Sequence, residues 1–489
     1  MPAQKLLIVS LASTFRTIVQ IALMPIIGRV LGPRAYGQMA LVFPFIFFAT
    51  LLAESGLGVC IVRAEQVTKE LEGTIFCFSA SVSIFLISLL AALAYPLGKL
   101  LGDPLFPALL LGTSSILLLV ALNIVPMALL WRRKQYNIIA LGDVVSTLGS
   151  IGAIATGVFF GWGIWSLVAQ QITIWTCRVL IAFIGSRSRP RFLFHWRIIR
   201  ENISFGSNLT ASSMLSFIAR NIDNVLIGGL MGSETLGYYA LAFQIVGLPV
   251  AIMSSSVYYH VLSGISEASR KGLPLSEHFL KALRSVALLT SPVMVGLAVT
   301  APLSIPFILG DKWLPTVSLL YCLAPFGFAQ AMSEPIAGVL IGMGRSELKL
   351  KLGLLSSSAA IASIVFGVFF SSTTVALGIS LAEVLSWLFA LHKALELCKD
   401  ASINGVLRAV SVPLIAAFLM GCVVVSVQQT FFIDFPLGVR LVISGAIGIF
   451  AYGAILVGLF RDQISDDIVL IKTALGYKPI KGIHKTWWF

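Results

Sequence analysis

The sequence predicts an all-α polytopic membrane protein of about fourteen transmembrane helices, with two six-helix lobes related by an internal repeat and two further C-terminal helices. Three observations predict it. The 489 residues are 58% hydrophobic and only 11% charged, with a mean hydropathy of +0.96, far from a water-facing globular chain. The apolar residues gather in runs of about 20, the length at which an internally hydrogen-bonded helix crosses hydrocarbon. Finally, residues 27–43 recur at 227–243: reading IGRVLGPRAYGQMALVF against IGGLMGSETLGYYALAF without gaps sets Gly28, Gly32, Gly37, Ala40, Leu41 and Phe43 opposite Gly228, Gly232, Gly237, Ala240, Leu241 and Phe243. Each copy ends one long apolar segment, turns through a short glycine-bearing loop and enters another, the internal symmetry expected of a transporter built from two repeats.

The first apolar segment, 6–28, follows only Met1 to Lys5 and carries Arg16 and Gln20 at its middle, so it reads as a retained helix and not a cleaved signal peptide. Segments 38–61, 73–98, 106–130, 138–159 and 162–184 complete a first lobe over residues 1–184, the last two joined only by the tight Gly161-Trp162-Gly163 turn. Residues 185–204 form a basic linker in which Arg187, Arg189, Arg191, Arg197 and Arg200 alternate with Phe192, Phe194, Trp196, Ile198 and Ile199. Arginine with aromatic residues at a membrane edge predicts either an amphipathic segment lying on the anionic inner leaflet and tethering the two lobes or an inert positive-inside loop. The second lobe, 205–400, holds segments 205–231, 236–262, 284–309, 315–343, 352–370 and 374–395. Segments 407–428 and 439–460 make up a region over 401–460, and 461–489 is a basic tail. Intrahelical prolines such as Pro25, Pro44, Pro249, Pro325 and Pro335 break backbone bonds locally and supply bends.

Charge placement tests this topology independently. With both ends cytoplasmic, external loops hold only Arg29, Arg34, Lys99, Lys312 and Arg440 of the 34 Lys and Arg, while Arg16, Arg178 and Arg220 fall inside helices and the other 26 are cytoplasmic. That is the positive-inside distribution. It also accounts for the net charge of +13, so a basic pI near 9.6 is no sign of nucleic-acid binding.

Several chemistries are disfavoured. No G-x-x-x-x-G-K-[ST] phosphate loop occurs, so the chain is not expected to hydrolyse nucleotide. The six cysteines and five histidines show neither metal-ligand spacing nor a C-x-x-C pair, and neither a metal nor a cofactor is expected. The external loops are too short to gather catalytic groups, which counts against a glycan polymerase or ligase and predicts a protein that is not an enzyme.

The chemistry is expected in the charged residues that hydrocarbon rejects. A charge at a helix centre costs about 2.5–3.5 kcal/mol on insertion scales, so Arg16 in the first helix and Arg220 in the seventh need a reason to be there. They sit at similar depths in the two repeats, and both are expected to face a water-filled cleft, where planar guanidinium forks grip a phosphate or carboxylate. Gln20, Asn221 and Asn224 are candidate neutral contacts in that cleft. Arg178 and Asp143, nearer the cytoplasmic ends, read as snorkelling to the interface, with Arg178 a further candidate for the anionic group. Asp223 stands three residues after Arg220 and is read as its switchable charge partner, while Glu54, Glu334 and Glu383 are candidate cation or proton sites.

The runs Arg29-Val30-Leu31-Gly32-Pro33 with Tyr36-Gly37, Glu54-Ser55-Gly56-Leu57, and Asp223-Asn224-Val225-Leu226-Ile227-Gly228 with Leu236-Gly237-Tyr238-Tyr239 resemble the bacterial polysaccharide-transport family. That family includes the Wzx-type flippases of the multidrug/oligosaccharidyl-lipid/polysaccharide exporter superfamily, and the resemblance runs over nearly the whole chain. It implies a flippase of the bacterial plasma (inner) membrane, moving a polyprenyl-diphosphate-linked oligosaccharide from the cytoplasmic to the outer leaflet by alternating access, for exopolysaccharide, capsule or O-antigen lipopolysaccharide synthesis. The partners it implies are the lipid-linked oligosaccharide and membrane lipids, with a polysaccharide polymerase and co-polymerase as further candidates. The alternatives are a cation-coupled exporter of small amphipathic molecules and, more weakly, a membrane glycan polymerase or ligase, since related proteins share the fold.

The topology is testable directly. Reporter fusions after Gly102, Gly232 and Thr373 are expected to report outside, and fusions after Lys134, Arg191 and Lys399 inside. A reversed signal at two adjacent loops breaks the fourteen-helix order.

Overall fold

Apolar runs of hydrocarbon length have one way to satisfy their own backbone, and the chain takes it throughout: among the described residues there are only helices and their connections. The computed structural model describes residues 2–54, 56–188, 192–271, 274–398, 400–430 and 435–459, with side chains for all of these except residues 2–7, 201–213, 215–216, 218–220, 252–257, 259–260, 269 and 459. The order is α1 (Pro2–Glu54), α2 (Leu57–Arg63), α3 (Lys69–Leu100), α4 (Phe106–Arg132), α5 (Tyr136–Phe159), α6 (Trp165–Ser186), α7 (Trp196–Met231), α8 (Ser233–Lys271), α9 (Ser276–Ile308), a 3-10 turn (Asp311–Trp313), α10 (Pro315–Gly342), α11 (Ser346–Gly367), α12 (Ser372–Leu397), α13 (Ile403–Thr430) and α14 (Leu437–Leu459). Eleven helical stretches among the described residues are long and apolar enough to cross a membrane, and α7 and α8 hold the predicted segments 205–231 and 236–262. The chain is a multi-pass membrane protein.

Three boundaries differ from the sequence reading in an instructive way. The expected loop between residues 28 and 38 is helix on both sides of one residue, Gly32, at φ 76° and ψ 175°. Its repeat partner Gly232, at φ 90° and ψ 159°, likewise separates α7 from α8 by a single position. Glycine reaches positive φ without steric cost, so one residue makes the corner. Hydropathy marks where hydrocarbon ends, at Arg29 and Arg34, and not where the hydrogen-bonded helix ends. For the same reason α7 begins at Trp196, inside the stretch read as a linker.

The chain divides into two compact units, one of Met1–Leu241, Ile308–Trp313 and Ile364–Thr374, the other of Ala242–Phe307, Leu314–Ser363 and Val375–Phe489. In the first unit the two copies of the repeated turn lie directly on each other. A Cβ on Gly37 would stand 1.6 Å from the Ser233 carbonyl oxygen, and one on Gly237 would stand 2.0 Å from the Pro33 carbonyl oxygen. Only hydrogen-bearing Cα atoms fit there, facing carbonyl oxygens as at close helix crossings. Trp313 is fully buried over this contact. Its indole N–H donates to the Gly28 carbonyl at 3.0 Å, and Tyr36 and Tyr238 meet its ring edge-on at 5.8 and 6.0 Å. A buried carboxylate completes the cluster: Asp103 accepts from Gln38 Nε2 at 3.1 and 3.0 Å, from Ser233 Oγ at 2.5 Å and from the Leu105 amide at 2.9 Å. Charge-assisted bonds of this kind offset the cost of burying the ion.

Elsewhere in the first unit, α5 and α6 pack through small residues. Gly149 faces Thr173 and Cys177, Gly157 faces Ser166, and Gly185 faces Ile138, so the two backbones approach closely. Helix α3 begins on Thr68, whose Oγ1 accepts from the Leu71 amide at 3.1 Å, with Glu70 and Glu72 in its first turn where the helix dipole favours them. In the second unit Gly327, Gly338 and Gly342 of α10 face Val246, Val261 and Ile265 of α8. Tyr452 of α14 donates to the Leu288 carbonyl of α9 at 3.0 Å, and Ser291 of α9 donates to the Pro413 carbonyl of α13 at 3.0 Å, which ties the C-terminal pair of helices onto α9. The repeat has a second trace: the tetrapeptide Gly157-Val158-Phe159-Phe160 ending α5 recurs as Gly367-Val368-Phe369-Phe370 ending α11, with all four phenylalanines exposed.

The turn contact has a sharp consequence. Gly37→Ala or Gly237→Ala forces two backbones apart and is expected to cost more than about 3 kcal/mol, read as lost monodisperse protein or a large fall in Tm. Gly353→Ala in α11, where a Cβ meets nothing within 4 Å, is expected to be neutral or to stabilise by up to about 1 kcal/mol.

Candidate functional site

A cavity of about 720 Å³ opens in the first unit among α1, α2, α4, α5 and α6. Helical periodicity places its walls. Val9, Ser13 and Arg16 share one face of α1, Gly142 and Asp143 come from α5, and Trp175, Arg178 and Ala182 share one face of α6. Helix α2 supplies Gly58, Val59 and Val62, and its position is fixed by Arg132 at the end of α4. That guanidinium donates to the carbonyls of Ile61 at 3.0 Å, Val62 at 3.2 Å, Ala64, and Glu65 at 2.9 Å, a cation satisfying a helix C-terminus.

The cavity's charged end is a triad. Arg16 of α1 and Arg178 of α6 each donate to the same oxygen, Asp143 Oδ1 of α5, both at 2.8 Å. The side chains are 33%, 20% and 15% exposed respectively, so the group is partly desolvated but reachable from the cavity. Arg178 also lies over the Trp175 ring, 5.5 Å from its centroid, a cation–π contact that holds its plane. Two guanidiniums on one carboxylate leave a formal charge of +1 with most N–H donors unspent. Its unspent N–H groups have the planar, forked arrangement that matches the oxygens of a diphosphate or carboxylate.

The cavity thus brings together three of the expected site residues, Arg16, Arg178 and Glu54. Arg178 and Asp143 do not snorkel apart: they face each other and Arg16, because an isolated charge in this region is dearer than a shared one. Gln20 is exposed on α1 and outside the cavity wall. Asn221 of α7 donates to its own helix at the Phe217 carbonyl, at 2.9 Å. Asp223, also on α7, is buried and accepts from the Tyr239 hydroxyl and the Asn224 amide, both at 2.9 Å. Its expected partner Arg220 has a side chain outside the described residues. Glu334 of α10 is half-buried in the second unit, where Glu383 of α12 accepts from Ser356 of α11 at 3.0 Å. Sequence reasoning missed Asp143 as the hub, and missed Asn123 and Trp175 in the wall and Asp103 at the repeated turns. The hub was detectable by inventory: the first six predicted segments carry Arg16 and Arg178, and two partly desolvated cations need a counter-ion.

An all-helical, multi-pass chain with a charged cavity enclosed by membrane-spanning helices is a protein of the transporter class. The chain belongs to the family described as polysaccharide biosynthesis protein, whose model matches residues 26–318. Among its relatives, the teichuronic acid biosynthesis protein TuaB of Bacillus subtilis (strain 168) is 23% identical over 455 residues, covering 92% of this chain and 93% of that protein. The succinoglycan biosynthesis transport protein ExoT of Rhizobium meliloti (strain 1021) is 25% identical, covering 88% of each. The fold is similar to that of the lipid II flippase MurJ in its inward closed conformation, with a TM-score of 0.70, 19% identity, and coverage of 94% of this chain and 100% of that one.

A double-mutant cycle tests the triad. Arg16→Ala and Arg178→Ala are each expected to couple to Asp143→Asn by about 1–2 kcal/mol, between the values of exposed and buried ion pairs. Arg16 and Arg178, being like charges on one counter-ion, are expected to couple with the opposite sign. Thermal unfolding of the purified variants supplies the measurement.

Proposed function

We propose that this protein is a flippase for a polyprenyl-diphosphate-linked oligosaccharide, moving it from the cytoplasmic to the outer leaflet of the bacterial plasma membrane, with both termini cytoplasmic, to supply exopolysaccharide, capsule or O-antigen synthesis. The observation that carries the reading is the Arg16–Asp143–Arg178 triad inside a cavity built by membrane helices. A lipid carrier with a diphosphate head has a strongly anionic, polar end and an apolar tail that never needs to leave the bilayer. The cavity serves the first and lipid serves the second. Family membership and the transport and flippase names of the relatives point the same way.

In this reading Asp143 is a placeholder. It neutralises the two arginines while the cavity is empty, and an arriving diphosphate competes for their donors with more oxygens and more charge. Arg220, at a similar depth in the second repeat, is a candidate for the same head group, and Asp223 for its control. The lobes 1–184 and 205–400, joined by the basic linker 185–204, would alternate access, with 401–460 and the tail 461–489 appended.

Leaflet-specific labelling of lipid-linked sugar in cells depleted of the protein is the test. Accumulation on the cytoplasmic side is expected. Unpolymerised repeats on the outside indicate a polymerase instead, and no change in either leaflet indicates an exporter of other molecules. Restoring export with Arg16 or Arg178 variants is expected to rank wild type above Lys above Ala, since Lys keeps the charge but loses the planar fork.

A further inference from the structure

Residues 192–200 are no slack tether. The His195 amide donates to Thr74 Oγ1 of α3 at 3.1 Å, and the Phe192 ring meets Phe76 of α3 edge-on at 6.0 Å. Ile199, in the first turn of α7, is fully buried among Ile61 of α2, Ile75 and Phe76 of α3 and Leu129 of α4. That side of the segment is spent on the first unit, and the other side is open. The backbone is extended at His195, so side chains two apart share a side, and Phe194 and Trp196 lie together with ring centroids 6.4 Å apart. Both are exposed, as is Phe192. A contiguous exposed aromatic strip rimmed by polar groups marks a surface that another apolar body covers.

Cations form the rim. Arg133, at the end of α4, donates to the Ser186 carbonyl at the end of α6 at 2.6 Å, which sets the residues that follow, Lys134 and Arg187, at one corner. Glu72 ties that corner to the linker, since it lies within electrostatic reach of Arg133 and two residues before Thr74, which holds His195. Lys134, Arg187 and, one turn into α7, Arg200 are exposed, and their side chains have no ion-pair or hydrogen-bond partner among the described residues. The acids described at this end, Glu65, Glu70 and Glu72, lie at or before the first turn of α3. Water rejects the rings and hydrocarbon rejects the cations, whereas the headgroup layer of acidic phospholipids accepts both. The strip adjoins the ends of α3, α4 and α6, apolar helices of membrane-crossing length, so bilayer already stands beside it and a soluble partner would have to displace that bilayer. We propose that Phe194, Trp196, Lys134, Arg187 and Arg200 form a docking surface for acidic phospholipid headgroups, which anchors the start of α7 to the membrane. Nothing in this surface depends on what the protein transports.

The experiment titrates the detergent-purified full chain with acyl-labelled phosphatidylglycerol or phosphatidylcholine of matched chains and reads binding from fluorescence anisotropy. Wild type is expected to prefer phosphatidylglycerol by roughly tenfold or more at low salt, a basic residue near an anionic surface contributing about fivefold. Raising the ionic strength from about 0.05 to about 0.5 M is expected to erase most of that preference, a readout that needs no variant. Arg187→Gln with Arg200→Gln is expected to lower the preference by about fivefold or more. Arg345→Gln with Lys351→Gln removes the same charge from exposed positions of the second unit and is expected to leave the preference within about twofold. Phe194→Ser with Trp196→Ser is expected to weaken both lipids together and keep their ratio. Equal binding of the two lipids by wild type overturns the proposal, as does a preference that salt leaves intact. A fall as large in the second-unit pair as in the Arg187 and Arg200 pair shows only diffuse positive charge and also overturns it. Unchanged affinities in the Phe194 and Trp196 pair remove the aromatic strip, and with it the surface.

Discussion

Three helices meet at one oxygen. Asp143 Oδ1 accepts from Arg16 of α1 and Arg178 of α6, so α1, α5 and α6 are held in register by an ionic contact set within the apolar part of the fold. Dispersion between apolar helices barely distinguishes a helix neighbour from a lipid neighbour, and a specific polar contact supplies what packing alone does not. Small residues then let α5 and α6 close up behind it, and Arg132 brings α2 against α4 to finish the wall. Removing the carboxylate would leave two like charges facing each other. The cavity's shape and its charge therefore come from the same atoms.

In the proposed function, that economy lets the site bind an anion firmly and still release it. A guanidinium pair with no internal counter-ion would be costly when empty and hard to vacate when full. A resident carboxylate keeps the empty state tolerable and offers a ready partner when the ligand departs, which narrows the difference between the two states. Transport needs that narrow difference, because a carrier that binds too well stalls.

The sequence carried the fold further than it carried the site. Long apolar runs bounded by charge marked nearly every helix, and the aligned glycines marked two turns that each pivot on one positive-φ residue, Gly32 and Gly232. What those glycines do was not legible: Gly37 and Gly237 are conspicuous as repeats, but nothing in a linear string says that each faces a carbonyl of the other turn. Helix ends were misjudged where hydropathy and hydrogen bonding part company, as at residues 29–37. In the site, Arg16 stood out because hydrocarbon penalises charge, whereas Arg178 and Asp143 were both read as snorkelling because their depths along α6 and α5 resembled interfacial positions. Pairing across 127 residues is a tertiary fact. Asn123 was invisible for a different reason, since a lone asparagine in a long helix looks like any other until its oxygen is found without a partner.

The contact between the two turns is reciprocal. Gly37 lies against Ser233 as Gly237 lies against Pro33, and the repeat alignment sets Pro33 opposite Ser233. A contact in which position i of one copy touches position j of the other, and j touches i, is the signature of a two-fold axis, usually met between identical subunits. Such a surface is complementary to itself. A half-length polypeptide bearing one copy of the turn would already possess both faces of the contact, so fusing two halves into a single chain required no new interface at this point, only a tether.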